Sequence, residues 1–263
     1  MTDARGSDDW LTIASIAALA YVSQDVLHEG LGHGVTAWLS GAQKLTMSTV
    51  ALQSDISTRW ISANGTLVNL VAAFVLWLLL LKSERYSPQL RFFFIMALAG
   101  NLFTGTGYFL FSGVLNFGDW TQVIEGLEPH WAWRVGLVVV GAATYYGSVL
   151  LVAAQLRAFL PDPGEPPRLR RLTWIPYFAE GVLAFFAGVL NPAGLFYVIA
   201  AALPSTLGAN AGLLSLPSMM RGWKRPEPTS VAIIRRSPGW IAVAVVICGA
   251  FIGVVGRGVT WTR

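Results

Sequence analysis

The polar positions of this chain are gathered into short intervals between long apolar runs. Apolar stretches cover residues 10–39, 60–81, 92–111, 134–156, 174–190, 193–217 and 238–256. Most come close to the ~20 residues that a helix needs to cross a bilayer. The pattern predicts six or seven transmembrane helices joined by short connections, forming one membrane domain over residues 1–263. Asn191-Pro192-Ala193-Gly194 reads as a helix-breaking turn, and residues 204–212 are weakly apolar enough to be re-entrant. After the first segment the pattern changes. Leu45 to Gln53 is rich in β-branched residues between Gly41 and Asp55, and reads as a short strand or hairpin. The expected fold is an all-α polytopic bundle with a short membrane-dipping β segment after helix one.

Composition agrees with that reading: of 263 residues, 54% are hydrophobic and 12% charged, and the mean hydropathy is +0.57. A net charge of +4 invites thoughts of nucleic acid, but the basic residues lie in loops, where they set topology and touch anionic lipid. The bilayer is the expected partner, and nucleic acid is not. If seven helices alternate, one side collects Arg5, then Lys82, Arg85 and Arg91, then Arg157, Arg168, Arg170 and Arg171, and finally Arg221, Lys224, Arg225, Arg235 and Arg236. The positive-inside rule makes that side cytoplasmic, in a bacterial-type inner or plasma membrane.

The acidic N-terminus, with Asp3, Asp8 and Asp9, and the lack of a cleavage site predict that the first helix is kept rather than removed. Cys248 stands alone, so neither an intramolecular disulfide nor a thiolate metal cluster is expected. Tryptophans near helix ends, among them Trp38, Trp60, Trp120 and Trp223, read as interfacial anchors. Glu180, inside the fifth apolar run, reads as a side chain snorkelling to the cytoplasmic face. The Pro-rich 161–167 and the 221–238 stretches read as connectors.

Candidate chemistry lies at the end of the first apolar run, in His28-Glu29-Gly30-Leu31-Gly32-His33. Two imidazoles can ligate Zn²⁺, and the carboxylate beside the first can act as a general base in metal-assisted hydrolysis. Ionisable groups at membrane depth are expensive and usually functional. The histidines stand at i and i+5, however, and on a regular helix that is about 500° of rotation, which leaves them roughly 140° apart. A π-bulge absorbs the extra residue and returns both to one face. The hexapeptide resembles that of the dipeptidyl peptidase III family of zinc peptidases, which matches these six positions alone.

Two further stretches extend the resemblance. The β segment comes next, and Gly65-Thr66-Leu67-Val68-Asn69 then opens the second helix with a G-x-x-x-N pattern. In that order the three elements resemble the core of the site-2 protease family of intramembrane metalloproteases. The resemblance implies a three-helix catalytic core over about residues 10–130, with additional helices at 134–256. It implies that a third ligand follows the third core helix, where Asp119 in Asn116-Phe117-Gly118-Asp119-Trp120 is the candidate. Asp25, Asp55, Glu125, Glu128, Glu180 and His130 are the competitors, and Asp119 could instead cap a helix starting near Thr121.

The implied activity is hydrolysis of a peptide bond in or near a transmembrane segment of another membrane protein. Zn²⁺ would be held by His28, His33 and Asp119, with Glu29 as base and Asn69 helping to polarise the carbonyl. Gly65 and Asn116 would contribute substrate-binding or oxyanion support, and the 45–53 segment would hold the substrate by strand addition. The topology places this site toward the external half of the membrane. The same residues also suit an ion or proton carrier, a haem-binding membrane protein, or an inactive protease-like protein that binds membrane clients.

Overall fold

The computed structural model describes residues 7–157, 166–191, 204–221 and 232–263. Arg5, Trp223, Lys224, Arg225, Pro192 to Gly194 and residues 193–203 of the sixth apolar run lie outside the described residues, as does most of the Pro-rich connector. Helix α1, Trp10–Val26, begins where the Asp9 carboxylate accepts the Thr12 N–H at 2.8 Å and its hydroxyl at 2.7 Å. It runs without a break through a π-helical segment, Leu27–Gly34, into α2, Val35–Leu39.

Strands β1, Lys44–Met47, and β2, Leu52–Ser54, form the expected hairpin, pairing Leu45 with Ser54 and Met47 with Leu52. Next come α3, Arg59–Leu80; α4, Pro88–Leu115; a short α5, Asp119–Val123; α6, His130–Leu156; and α7, Pro166–Val189. After residues 204–211, which wind irregularly, come α8, Gly212–Met219, and α9, Pro238–Ala250.

Six of the described helices are long and apolar enough to cross a membrane: Trp10–Leu39, Arg59–Leu80, Pro88–Leu115, His130–Leu156, Pro167–Val189 and Pro238–Val255. Their outward faces carry exposed Val71, Phe74, Val75, Val139, Val245 and Val246. A water-soluble protein rarely leaves so much contiguous apolar surface uncovered, and a bilayer covers it. The chain is a multi-pass membrane protein. Inward, Ile13 and Ile16 of α1 pack with Phe92, Ile95 and Phe103 of α4, Val152 and Leu156 of α6 and Leu172 of α7 in one continuous core.

Helices α4, α6 and α7 start before the apolar runs predict. Helix α7 takes Arg168, Arg170 and Arg171 into its first turns, because its amino end is packed instead of lying free as a loop. The Arg168 guanidinium grips Asp8 at 2.6 Å and the Ala232 carbonyl, and Asp8 also accepts the Ile234 N–H. Glu180 does not snorkel. It is only 3% exposed, because α7 turns that face toward Tyr21 of α1.

The sequence pattern also missed a third strand, β3, Val259–Thr262, which pairs antiparallel with β1 to give the order β2-β1-β3. This pairing brings the end of the last helix to the side of the membrane that holds the hairpin. The Arg168–Asp8 pair lies at the opposite side. Removing one partner of such a buried pair leaves an uncompensated charge and costs about 3–5 kcal/mol. Arg168→Met is therefore expected to lower the unfolding midpoint in detergent, and Asp8→Asn added to it to cost less than the two single changes summed.

Candidate metal centre

The π segment solves the spacing problem. The Val35 N–H bonds the Gly30 carbonyl, an i to i+5 closure, and such closures stack residues five apart on one face. His28 and His33 consequently meet, with ring centroids 4.7 Å apart and planes at 86°. Their Nε2 atoms are 3.2 Å apart.

The rings lie against α3 where two backbones nearly touch. A Cβ added at Gly32 would stand 2.5 Å from the Gly65 Cα, and one at Gly65 would strike both imidazoles, at 2.7 Å from each Cε1. Only hydrogen side chains permit this crossing. Gly65 thus makes room for the histidines rather than for a substrate.

Each imidazole is fixed from behind. His28 Nδ1 lies 2.5 Å from Asn69 Oδ1. The Asn69 amide nitrogen donates to Asn101 Oδ1 at 2.8 Å and to the Gln24 carbonyl, and Asn101 in turn donates to the Ala97 carbonyl. With the amide nitrogen committed, Asn69 accepts from His28 Nδ1–H, so His28 Nε2 carries the lone pair. His33 Nδ1 donates to the Ile61 carbonyl at 2.6 Å, with the same result. Asn69 is fully buried and has both ends of its amide engaged. It positions His28 and cannot reach a substrate carbonyl, contrary to the role the sequence suggested.

Asp119 arrives from the turn after α4. Asn116 ends that helix in the left-handed conformation, φ 52° and ψ 45°, and Gly118 follows at φ 88°. Two hydrogen bonds then pin α5 to α3: Trp120 Nε1–H donates to Thr66 Oγ1 at 3.0 Å, and the Ser62 hydroxyl donates to Gln122 Oε1 at 2.7 Å. Trp120 is therefore a structural clasp as well as an anchor. Asp119 is the first residue of α5 rather than a cap, and its Oδ2 lies 3.2 Å from His28 Nε2 and 3.3 Å from His33 Nε2. Burial raises its proton affinity, but the charge of His33 in its protonated form, together with hydrogen bonds from both imidazoles, outweighs that and holds the carboxyl well below the usual carboxylate range when no metal is bound.

Among the described residues, this is the one grouping of three His, Cys, Asp or Glu side chains close enough to share a metal ion. The competitors lie elsewhere. Asp55 accepts the Gln43 and Lys44 N–H groups, Glu128 accepts the His130 N–H, and His130 pairs with Asn116 Oδ1 at 3.0 Å. Asn116 therefore lines the cleft through a side chain already committed to His130.

The donor triangle suits zinc. Edges of 3.2, 3.2 and 3.3 Å put its centre about 1.9 Å from each corner (edge over √3), slightly less than a Zn–N or Zn–O bond of about 2.0–2.1 Å. Two neutral imidazoles and one carboxylate also form a donor set typical of catalytic zinc. Glu29 stands beside them, buried, with Oε2 accepting the Leu52 N–H at 2.6 Å. Glu29, His33 and Asp119 border a cleft of about 520 Å³ between β2 and the α4–α5 turn. Tyr108 stacks on His28 at 5.0 Å and forms part of its wall.

No known family model, curated protein or solved structure matches the chain. Asn69→Ala is expected to leave the bundle folded but to weaken metal binding about 10–100-fold, the usual cost of losing a group that orients a ligating histidine. Competition with a chelating indicator measures this, with Val71→Ala as the control on the exposed side of the same helix.

Proposed function

We propose that this chain is an intramembrane zinc peptidase that hydrolyses a peptide bond in or near a transmembrane segment of another membrane protein. The observation that carries the reading is the convergence of His28 Nε2, His33 Nε2 and Asp119 Oδ2 beside Glu29, in a polar cleft set among apolar helices. His28, His33 and Asp119 would hold a zinc ion, which would supply Lewis acidity and lower the pKa of a water toward neutrality. Glu29 takes that water's proton and returns it to the departing amine. The Leu52 N–H holds one of its carboxylate oxygens and leaves the other for this transfer.

Substrate binding follows from the hairpin ladder. In an antiparallel pair, alternate residues turn their N–H and C=O away from the partner strand. The bonds Asp55 N–H to Lys44 O and Ser48 N–H to Ala51 O fix which residues those are in β2: Leu52 and Ser54 point outward. The Leu52 C=O and both backbone groups of Ser54 face the cleft and can pair with an extended peptide. A helix hides these groups in its own hydrogen bonds, so a transmembrane substrate must unwind locally before it is cut. The far edge of β1 is already taken by β3.

The cleft lies at the side of the bundle opposite the Arg168 cluster, and the positive-inside rule makes that a reason to read it as facing the external half of an inner or plasma membrane. A carrier is the second reading, favoured by Asp25 and Glu180, each with a buried carboxylate oxygen that has no hydrogen-bond partner. Haem fits less well. A porphyrin needs the two nitrogens on opposite faces of a flat ring, whereas here they share one short edge with a carboxylate.

Glu29→Gln is expected to keep about one zinc per chain while lowering cleavage by at least ~10³-fold, the scale of a lost general base together with its orientation. Zinc analysis beside a peptide-release assay in proteoliposomes tests this, and unchanged cleavage in Glu29→Gln would sink the reading. Proline replacements probe the strand edge. Ser54→Pro removes a cleft-facing donor and is expected to raise KM with metal content unchanged, whereas Gln53→Pro breaks the β1–β2 ladder and is expected to lower stability.

A further inference from the structure

A second cavity, of about 580 Å³, lies between α4, α6 and residues 204–215. It meets the metal-site cleft along Tyr108, Phe111 and Ser205, which line both. The two spaces differ in chemistry. The cleft is bordered by Glu29, His33, Asp119 and Gln122, whereas no charged side chain lines the second cavity.

Its far wall is held in shape by Tyr145 of α6, whose hydroxyl donates to the Ala209 carbonyl at 2.5 Å and accepts the Gly212 N–H at 2.8 Å. Small residues give that wall its depth. Gly208 has ordinary helical backbone angles, φ −66° and ψ −48°, and a Cβ built there meets nothing within 4 Å.

We propose that this cavity receives the apolar flank of a membrane-spanning polypeptide whose adjoining residues lie in the cleft. A cavity of about 150 Å³ holds one benzene ring, so ~580 Å³ accommodates several apolar side chains. A substrate drawn along the open edge of β2 can place the residues beyond the cut across the Tyr108–Phe111 threshold, because the same cleft joins that edge to both residues. Apolar residues there gain by leaving the polar cleft for an uncharged pocket. A lipid acyl chain would suit the pocket alone, but its continuity with a peptide-pairing strand edge favours a polypeptide. The inference rests on the peptidase reading for which bond is cut, and not for capture itself.

Photo-crosslinking tests it. Full-length protein carrying Glu29→Gln is placed in phosphatidylcholine vesicles with a single-span peptide of about 20 Leu and Ala residues that bears a benzophenone near one end of the span. Adducts are expected on residues 107–115 or 204–215. Gly208→Phe, or Ala211→Phe should the first variant not fold, is expected to lower their yield by about tenfold, equivalent to roughly 1.4 kcal/mol, with zinc content unchanged.

Three outcomes overturn the proposal: a yield that ignores both plugs, adducts confined to the lipid-facing surface of α3 or α9, or labelling of the cavity by a photoactivatable lipid in place of the peptide. Capture here by a protein whose wild type cuts no peptide would sink the peptidase reading and leave the pocket. Cutting without capture would do the reverse.

Discussion

The contact between Gly32 and Gly65 sets what the rest of this molecule can be. Two helices cross there with hydrogen atoms for side chains, so the imidazoles of His28 and His33 lie directly on the α3 backbone. The π segment brings the rings to one face, and the crossing brings that face to Asn69 and the Ile61 carbonyl, which fix the rings. Either device without the other gives two histidines that do not share a target. A methyl group at either glycine must separate the helices or displace the rings, because the clashing atoms are backbone and rigid aromatics.

Irregular backbone at membrane depth survives only where the protein satisfies it internally. The π segment does so through its own wider closures and through Glu29, which ties it to β2. The hairpin turn is closed by Ser48 and held by the Asn191 amide at 3.1 Å. The third strand completes the sheet on its other edge, and the Arg263 guanidinium lies over the Trp38 ring at 5.4 Å. The polar half of the molecule is thus a braced assembly in which helix, hairpin and the last strand supply one another's partners.

Much of this was legible in the sequence. Apolar runs near 20 residues long located the six spanning helices, β-branched residues between Gly41 and Asp55 located the hairpin, and the i, i+5 spacing required the π-bulge. Asp119 was recoverable from its place after α4, since two crossings return the chain to the same side as His28. The rest depended on tertiary contacts that no local pattern carries. Val259 to Thr262 reads as an ordinary tail until β1 is there to pair with it. Asn69 looked like a substrate contact because its amide suits that role, and only the positions of His28 at its oxygen and of Asn101 and Gln24 at its nitrogen show that both ends are occupied. Glu180 looked like a snorkelling side chain because periodicity does not reveal which face of α7 meets Tyr21.

The electrostatics of the triangle argue for a cation in particular. Asn69 and Ile61 each accept an Nδ1 proton, which leaves both Nε2 atoms as acceptors, and Asp119 contributes a carboxylate oxygen. Three acceptors within 3.3 Å of one another, two of them on buried imidazoles, repel unless something positive lies among them. The clasps at Trp120 and Gln122 hold Asp119 in place against that repulsion. A proton answers it in part, by turning one imidazole into the partner of Asp119, but a single proton lies along one edge and cannot satisfy all three. A divalent ion near the centre can. Because the surrounding hydrogen bonds all push lone pairs inward, the three side chains could hold a metal ion among them.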